Sequence, residues 1–305
     1  MSRISVVGSL NVDLGYRVRT LPVPGETVLA GDRSRAFGGK GGNQAVTVAV
    51  LGADVGFVGA VGADDAGESY LSHLRRHGVD VSGVAVVPHV DTGTAIILVD
   101  DSGENLIVVD PGANSAVEPG WVEEHVRAAE PAVVLAQLEV PVPVLESMAA
   151  SLAADVTFVL NPAPMQADPD DLAKLLQRVD VLVPNRKELG QLARTAEPET
   201  LAEVQRCLGA LSFDGTVVVT LGADGAVVRE VGGEPTHHPA LSVDPVDTTG
   251  AGDAFCGALA VGIAAGRELS DAVRRAIEVA GRSTLHRGAQ PTQAPLEADI
   301  AADGS

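Results

Sequence analysis

The sequence predicts an α/β fold: a mostly parallel central sheet covered by helices on both faces, with a small β-sheet standing apart as a lid. Three observations predict it. Short, apolar, β-branched runs alternate with helix-like segments along most of the chain, the pattern of strands buried on both faces. One region breaks this rhythm with a hairpin signature. A glycine-rich turn, Asp247-Thr248-Thr249-Gly250-Ala251-Gly252-Asp253, opens straight onto a small-residue helix beginning at Ala254.

In order, Ile4–Val7 reads as the first strand and Asn43–Leu51 as a helix opened by glycines. Val55–Val61 is strand-like, and a helix follows from about Ala66 to His77. Ala132–Leu135, Val156–Leu160, Val179–Val183 and Val217–Thr220 read as further strands. Helical segments at Pro143–Ala154, Asp170–Arg178 and Leu201–Leu211 separate them. Thr94–Val99 and Asn105–Val109 are joined by Asp100-Asp101-Ser102-Gly103-Glu104, a hairpin turn. Tyr16–Val18 and a stretch near Thr27–Arg33 are extended, with Pro22, Pro24 and Gly25 in the turn. These two insertions, at about residues 14–36 and 92–110, assemble a small sheet, a natural flap over a site. Glu297–Ser305 is an acidic tail.

Composition narrows the functions. With 21 basic and 41 acidic residues, the formal net charge is −20. Such a surface repels nucleic acid and anionic membranes, so neither is expected as a partner. It also repels ATP at long range, so a nucleotide site needs local cations and backbone amides. Two cysteines, Cys207 and Cys256, are too few for a disulfide framework. Their apolar helical surroundings suggest reduced thiols and a cytoplasmic chain. The N-terminus reads as a strand rather than a signal peptide, and no run approaches the ~20 apolar residues of a membrane span.

The heptad carries the most chemistry. The first N–H groups of a helix lack intrahelical partners and, with the helix dipole, make an anion site. Asp253 sits at that mouth. A carboxylate there suits a base that takes a proton from an attacking hydroxyl while amides stabilise a transferring phosphoryl group. The plainer alternative is a helix cap.

Phe37-Gly38-Gly39-Lys40-Gly41-Gly42-Asn43-Gln44-Ala45 is a second site. It is not a Walker A loop, because Gly41 stands where Ser or Thr is needed. Lys40 offers a point charge and Asn43 both a donor and an acceptor; a solvated glycine turn is the alternative. Asn11 and Asp13 follow the first strand and share a face. Gln137-Leu138-Glu139 follows a later strand, where ligands of open α/β sheets sit. Asn11, Asp13, Asn43 and Glu139 suit several vicinal hydroxyls. Asn185 and Glu188 fit a capping box, or alternatively a place near nucleotide phosphates and hydrated Mg²⁺. Thr220-Leu221-Gly222-Ala223-Asp224-Gly225 makes a turn or admits a nucleotide. His73 and His77 have metal-ligand spacing but no third ligand, and His237-His238 reads as surface.

With these residues assembled, the chain resembles the ribokinase subgroup of the PfkB carbohydrate kinases. Asn11-Val12-Asp13, Pro24-Gly25-Glu26-Thr27, Gly38–Ala45, Asn161-Pro162-Ala163-Pro164, the heptad and Gly288-Ala289-Gln290-Pro291 occur in the family's order. The resemblance runs end to end and implies one kinase domain over 1–305 with a three-layer α/β/α ribokinase-like fold. It implies phosphorylation of ribose at O5 by MgATP. Asp253 is then the base, and the Gly250–Asp253 turn, through the amides of Ala251, Gly252 and Asp253, the anion hole. Asn11, Asp13, Gly39, Lys40, Asn43 and Glu139 grip the sugar. Asn185, Thr220, Gly222 and Gly252 lie along the nucleotide, with Glu188 acting on Mg²⁺ indirectly. An activating K⁺ falls to Asp247, Thr249, Ser283, His286, Gly288 and Thr292, with His286 standing where a basic residue is usual. A homodimer through the lid is also implied. No residue is assigned to the adenine pocket. A nucleoside kinase on the same scaffold and a non-catalytic sugar or nucleotide sensor are the competing readings.

Overall fold

The computed structural model describes residues 2–291. In chain order the strands are β1 (Ile4–Val7), β2 (Asn11–Val18), β3 (Ala30–Gly38), β4 (Val55–Gly62), β5 (Asp80–Val87), β6 (Gly93–Val99) and β7 (Asn105–Asp110). They continue with β8 (Val133–Gln137), β9 (Thr157–Asn161), β10 (Val181–Leu182), β11 (Thr216–Thr220), β12 (Ala226–Arg229) and β13 (Thr236–His238). The helices are α1 (Lys40–Val50), α2 (Asp65–Arg76), α3 (Pro119–Ala129), α4 (Val142–Ser151), α5 (Ala173–Leu176), α6 (Arg186–Leu192), α7 (Leu201–Ala210), α8 (Ala251–Ala264) and α9 (Leu269–Ser283).

The main sheet has nine strands in the order β13-β12-β11-β10-β9-β8-β1-β4-β5. It is parallel from β5 through to β11, and β12 and β13 add an antiparallel edge. Successive side chains of a strand point to opposite faces, and here both faces are buried. Ile4, Val6, Val133 and Leu135 join α1, α2, α8 and α9 in one apolar cluster. Val7, Val134, Ala136 and Phe158 join α3, α4 and α5 to α7 in the other. These are the expected three layers. The chain leaves β1 toward β4 and β5, then returns to β8 on the other side and continues outward. That reversal beside β1 is the switch point at which open α/β sheets bind ligands.

The second sheet has the order β3-β2-β6-β7, with β2 and β6 parallel and the outer pairs antiparallel. Its strands are longer than the extended runs read from the sequence. β2 begins at Asn11 and β3 runs to Gly38, so the first strand's exit and the glycine loop belong to this sheet.

Other boundaries also move, for identifiable reasons. α1 starts at Lys40 rather than Asn43, because Gly39 turns the chain at φ 82°. Gly41 lies so close to the Ser9 backbone that an added Cβ would sit 2.7 Å from the Ser9 nitrogen. The expected 170–178 helix is split into a 3₁₀ turn at Pro169–Leu172 and α5, with Asp168 accepting the Asp170 amide. The Val179–Val183 strand narrows to β10. The Val179 amide still closes the preceding helix, and Pro184 offers no N–H to the ladder.

α2 shows how local sequence anchors the two sheets to each other. Asp64 caps it by accepting the Gly67 amide at 2.7 Å. Its first turn is acidic and its last basic, matching the helix dipole. The same carboxylate accepts the amide and hydroxyl of buried Thr92, at 2.8 and 2.6 Å, just before β6. Asp64→Ala removes the cap, worth about 1 kcal/mol, and strands a buried amide, worth about 1–3 kcal/mol. The expected outcome is at least ~2 kcal/mol lost in urea unfolding.

Candidate active site

The site forms where β1 and β8 end and where α1 and α8 begin. Asp253 is only 6% exposed. Its carboxylate accepts the Asn43 side-chain amide on Oδ2 at 2.9 Å and the Gln44 amide on Oδ1 at 3.0 Å. Asn43 and Gln44 are neighbours on α1 and are both buried, so one helix face holds the residue at the mouth of another. Gln44 in turn accepts from Gln137 at 2.5 Å, and Asn161 donates to the Val183 carbonyl at 2.9 Å beside it. The sequence reading gave Gln44 and Gln137 no role. An amide side chain at a helix start ordinarily reads as solvated, and only the fold shows it buried.

α8 starts at Ala251, three residues before the Ala254 start read from the sequence, so Gly252 and Asp253 lie in its first turn. Gly250 is the N-cap in the left-handed region at φ 76°, packed on Ala289, whose carbonyl oxygen lies 2.3 Å from where a Cβ would stand. One amide differs from expectation: that of Ala251 donates to the Thr248 carbonyl at 3.2 Å. Among the described residues, the Gly252 and Asp253 amides have no such partner, and Gly252 faces open space.

Across the cleft, Glu139 accepts the Lys40 amide at 2.8 Å and a hydrogen bond from the Ser9 hydroxyl. It thereby caps α1, a service Gly39 cannot provide without a side chain. Asn11 Oδ1 accepts from Asn114 at 2.8 Å, and Asn114 also accepts the Leu10 amide at 2.9 Å. Asn114 lies far along the chain, and nothing in the sequence pointed to it. Asp13 approaches Gly38 so closely that a Cβ there would meet its carboxylate at 2.1 Å. Asn43 Oδ1 is buried without a partner among the described residues.

The charges influence one another. Burial raises the Asp13 carboxyl to about 6, with Glu139 and Asp253 adding to the shift. Burial alone would lower the Lys40 ammonium, but Asp253, Glu139 and Glu188 outweigh it and hold it above its ordinary value. Burial raises the Glu188 carboxyl, opposed in part by the Asn185 amide and Lys40. Cys256 is pushed well above its ordinary range by burial and then by Asp253, so its thiol stays protonated.

Two cavities meet at this turn. A smaller one, of about 130 Å³, holds Lys40, Asn161, Asn185, Glu188, Asp253 and Cys256. A larger one, of about 490 Å³, is lined by Gly222, Gly225, Val243, Phe255, Ile277 and Gly281 among others. Thr220 and Gly252 border both. The apolar lining, glycine turns and open amide at Gly252 fit a nucleoside with its phosphates over the helix end. These apolar residues carry no motif, which is why no adenine pocket was legible. A groove of about 540 Å³ at the amino ends of β10 and β11 contains none of the expected site residues.

Metal fits can be judged from the donors. Asn185 and Glu188 form the full capping box, and both Glu188 oxygens are taken by Asn185 at 2.8 and 2.9 Å. Each oxygen keeps a second acceptor site, so Glu188 remains able to face a hydrated Mg²⁺. Asp247, Thr249, Ser283, His286 and Gly288 lie in one loop cluster. Asp247 accepts the amides of Thr249 at 3.0 Å and Gly288 at 2.9 Å, and the Thr284 carbonyl accepts those of Val246 and Asp247. A carbonyl-rich loop of this kind suits a monovalent cation. Thr292 and the acidic tail lie outside the described residues. His73 is turned to Gln290 at 2.6 Å, and His77 Nδ1 bonds the His73 carbonyl at 3.0 Å. His238 is buried, contrary to its surface reading, because it pairs with buried Ala226 of β12, while His237 stays exposed.

Fold and cleft together set a buried carboxylate at a helix start beside two cavities, at the switch point of an open α/β sheet. The chain matches the model of the pfkB family carbohydrate kinase over residues 1–295 and belongs to that family. It is 36% identical over 301 residues to a ribokinase of Schizosaccharomyces pombe, covering 95% of this chain and 94% of the relative. To a Bacillus subtilis ribokinase it is 35% identical over 303 residues, covering 97% and 99%. An Arabidopsis thaliana ribokinase solved with ribose and ATP superposes with a TM-score of 0.84 at 28% identity, covering 97% and 98%. The expected fold and family are thus borne out.

The crowding around Asp13 has a measurable consequence. A carboxyl raised from 3.8 to about 6 in the folded state favours folding below the unfolded value and loses that contribution as pH rises through 6. Asp13→Asn is therefore expected to be more stable than the wild type at pH 8, with the advantage shrinking toward pH 4, as read from thermal melts of the ligand-free protein.

Proposed function

We propose that this chain phosphorylates D-ribose at O5, using ATP and giving ribose 5-phosphate and ADP. The observation that carries the reading is the position of Asp253, between the acceptor-rich groups on one side and the nucleotide-sized cavity on the other. Asn11, Asp13, Gly39, Lys40, Asn43 and Glu139 bind the sugar. The orphaned Asn43 Oδ1 supports this, since a sugar hydroxyl is the donor it lacks. Asn185, Thr220, Gly222 and Gly252 line the nucleotide path.

Asp253 orients the O5 hydroxyl and takes its proton as the oxygen attacks the γ-phosphorus in line. The bond from that phosphorus to the bridging oxygen breaks, and ADP leaves. The amides of Gly252 and Asp253, with Gly250 shaping the turn and Ala251 drawn toward Thr248, stabilise charge on the transferred group. Mg²⁺, near Glu188, neutralises phosphate charge when bound. Asp247, Thr249, Ser283, His286 and Gly288, with Thr292 outside the described residues, would hold a K⁺ whose charge would firm the loop behind the anion hole. The four-stranded sheet acts as the lid that excludes water.

A nucleoside kinase is the second reading, because the family scaffold would accept one. Phe37 is a poor base platform, being tilted against Tyr70 at 4.7 Å and stacked on His73 at 4.4 Å. A non-catalytic sensor would bind ribose without turnover. A cytoplasmic location agrees with two buried free cysteines, and among the described residues no helix is long and apolar enough to cross a membrane.

Asp253→Asn is expected to lose at least ~10²-fold in kcat while calorimetry still detects ribose binding. Near-normal turnover would remove Asp253 from its role. Ribose-dependent ADP release should exceed that with adenosine, fructose or deoxyribose.

The lid also bears on assembly. β7 is an edge strand exposed along its whole length, and it carries Leu106, Ile107, Val108 and Val109. Exposed apolar edges seek partners, and we read this one as the homodimer contact. Sedimentation at micromolar protein is expected to give a dimer, and Ile107→Asp with Val109→Asp a monomer. A monomeric wild type would overturn the assignment.

A further inference from the structure

Asp253 is aimed by a relay of buried amides that belongs to neither cavity. We propose that Gln44, itself held by Gln137, is a positioning residue that fixes the rotation of the Asp253 carboxylate for proton acceptance. The inference rests on the reading of Asp253 as the base.

The direction of the relay is dictated by chemistry. An ionised carboxylate only accepts, so the group that Gln44 turns to Asp253 must be its NH₂, as found at 3.0 Å. Its carbonyl oxygen must then face the other way. Gln137 meets it with its own NH₂ at 2.5 Å, so the second amide is oriented by the first. Both glutamines are fully buried. Neither lines the cavity that holds Asp253, so they act on it from behind. Asn43 reaches the same carboxylate, and its Oδ1, like Gln137 Oε1 at the far end of the relay, is buried without a partner among the described residues.

The far end of the relay rests on the strand exit. Gln137 Oε1 lies 2.1 Å from where a Cβ of Gly8 would stand. Gly8 follows β1 and Gln137 ends β8, the neighbouring strands at the switch point. A Cβ at Gly8 would displace Gln137 and free Gln44 to rotate, while also standing 3.0 Å from the Gly41 Cα at the start of α1, so Gln137→Met is the cleaner probe.

Gln44→Met keeps the length of the side chain and removes its donor. The expected result is a kcat lower by roughly 10- to 100-fold, the loss that a misplacement of about 1 Å produces, with KM for ribose and ATP within about 2-fold of wild type. Gly8→Ala, which leaves Gln44 itself in place, should lower kcat in the same way. In the Asp253→Asn background, Gln44→Met should cost nothing further, because the group it positions is gone. Thermal melts identify any variant that fails to fold, and the Gly8→Ala and Gln137→Met kinetics then decide. An unchanged kcat in folded Gln44→Met, or an equal loss in the Asp253→Asn background, overturns the proposal. If Asp253→Asn itself keeps turnover, the base assignment falls first. If it loses turnover while Gln44→Met does not, only the relay falls.

Discussion

A carboxylate buried at the N-terminus of α8 is the constraint on which the rest of the molecule depends. Removing a charge from water costs several kcal/mol unless donors replace the solvent. Here α8 contributes its own free amides and dipole, and α1 brings two side-chain amides to the same group. That requires the two helices to pack closely. The small residues of Ala254–Ala260 allow it: Gly257 lies against Thr47 with 2.9 Å between the Thr47 Cβ and where a Cβ of its own would stand. The glycines and alanines on this face of α8 follow from this approach rather than from helix propensity, while Phe255 and Leu259 fill the core beside them.

The charge pattern of the cleft follows from the same crowding. Asp253, Glu139 and Glu188 act on one ammonium, that of Lys40. Burial does most to raise the Asp13 carboxyl, and Glu139 and Asp253, which add to that shift, also strengthen the Lys40 charge, because one field acts on groups of opposite sign. Such a cluster suits a neutral ligand rich in hydroxyl donors. It is poorly suited to polyphosphate, which a chain of net charge −20 already repels at a distance. The phosphates must therefore be met by what carries no negative side chain, namely the helix end at Gly252 and bound cations.

Much of this was legible in the sequence, for uneven reasons. The strands of the main sheet announce themselves because burial on both faces leaves continuous apolar runs. The heptad and the Gly38–Ala45 loop announce themselves because few structures need glycines beside a charged side chain at a helix start. What stayed hidden has no local signature. The larger cavity is walled by Val243, Phe255 and Ile277, indistinguishable in sequence from core. Asn114 supports Asn11 from 103 positions away. Gln44 was quoted in its motif yet given no task, because its burial depends on Gln137 and Asn161 from other strands. The 170–178 helix was overestimated because Asp168 and Pro169 impose a 3₁₀ turn that its apolar spacing does not reveal.

The geometry of the two cavities restricts how ligands can be arranged. Only the larger one, near 490 Å³, can take a nucleoside; the smaller, near 130 Å³, holds little more than a phosphoryl group and its cations. Both share the wall at Thr220 and Gly252. A ligand seated in the first and reaching the second must therefore cross the start of α8, bringing its terminal phosphate against the free amides beside Asp253. The acceptor alcohol is left the remaining approach, from the side of Asn11, Asp13 and Asn43 beneath the four-stranded sheet. On the proposed reading, attack from there would be opposite to the departing nucleotide, the arrangement in-line transfer requires.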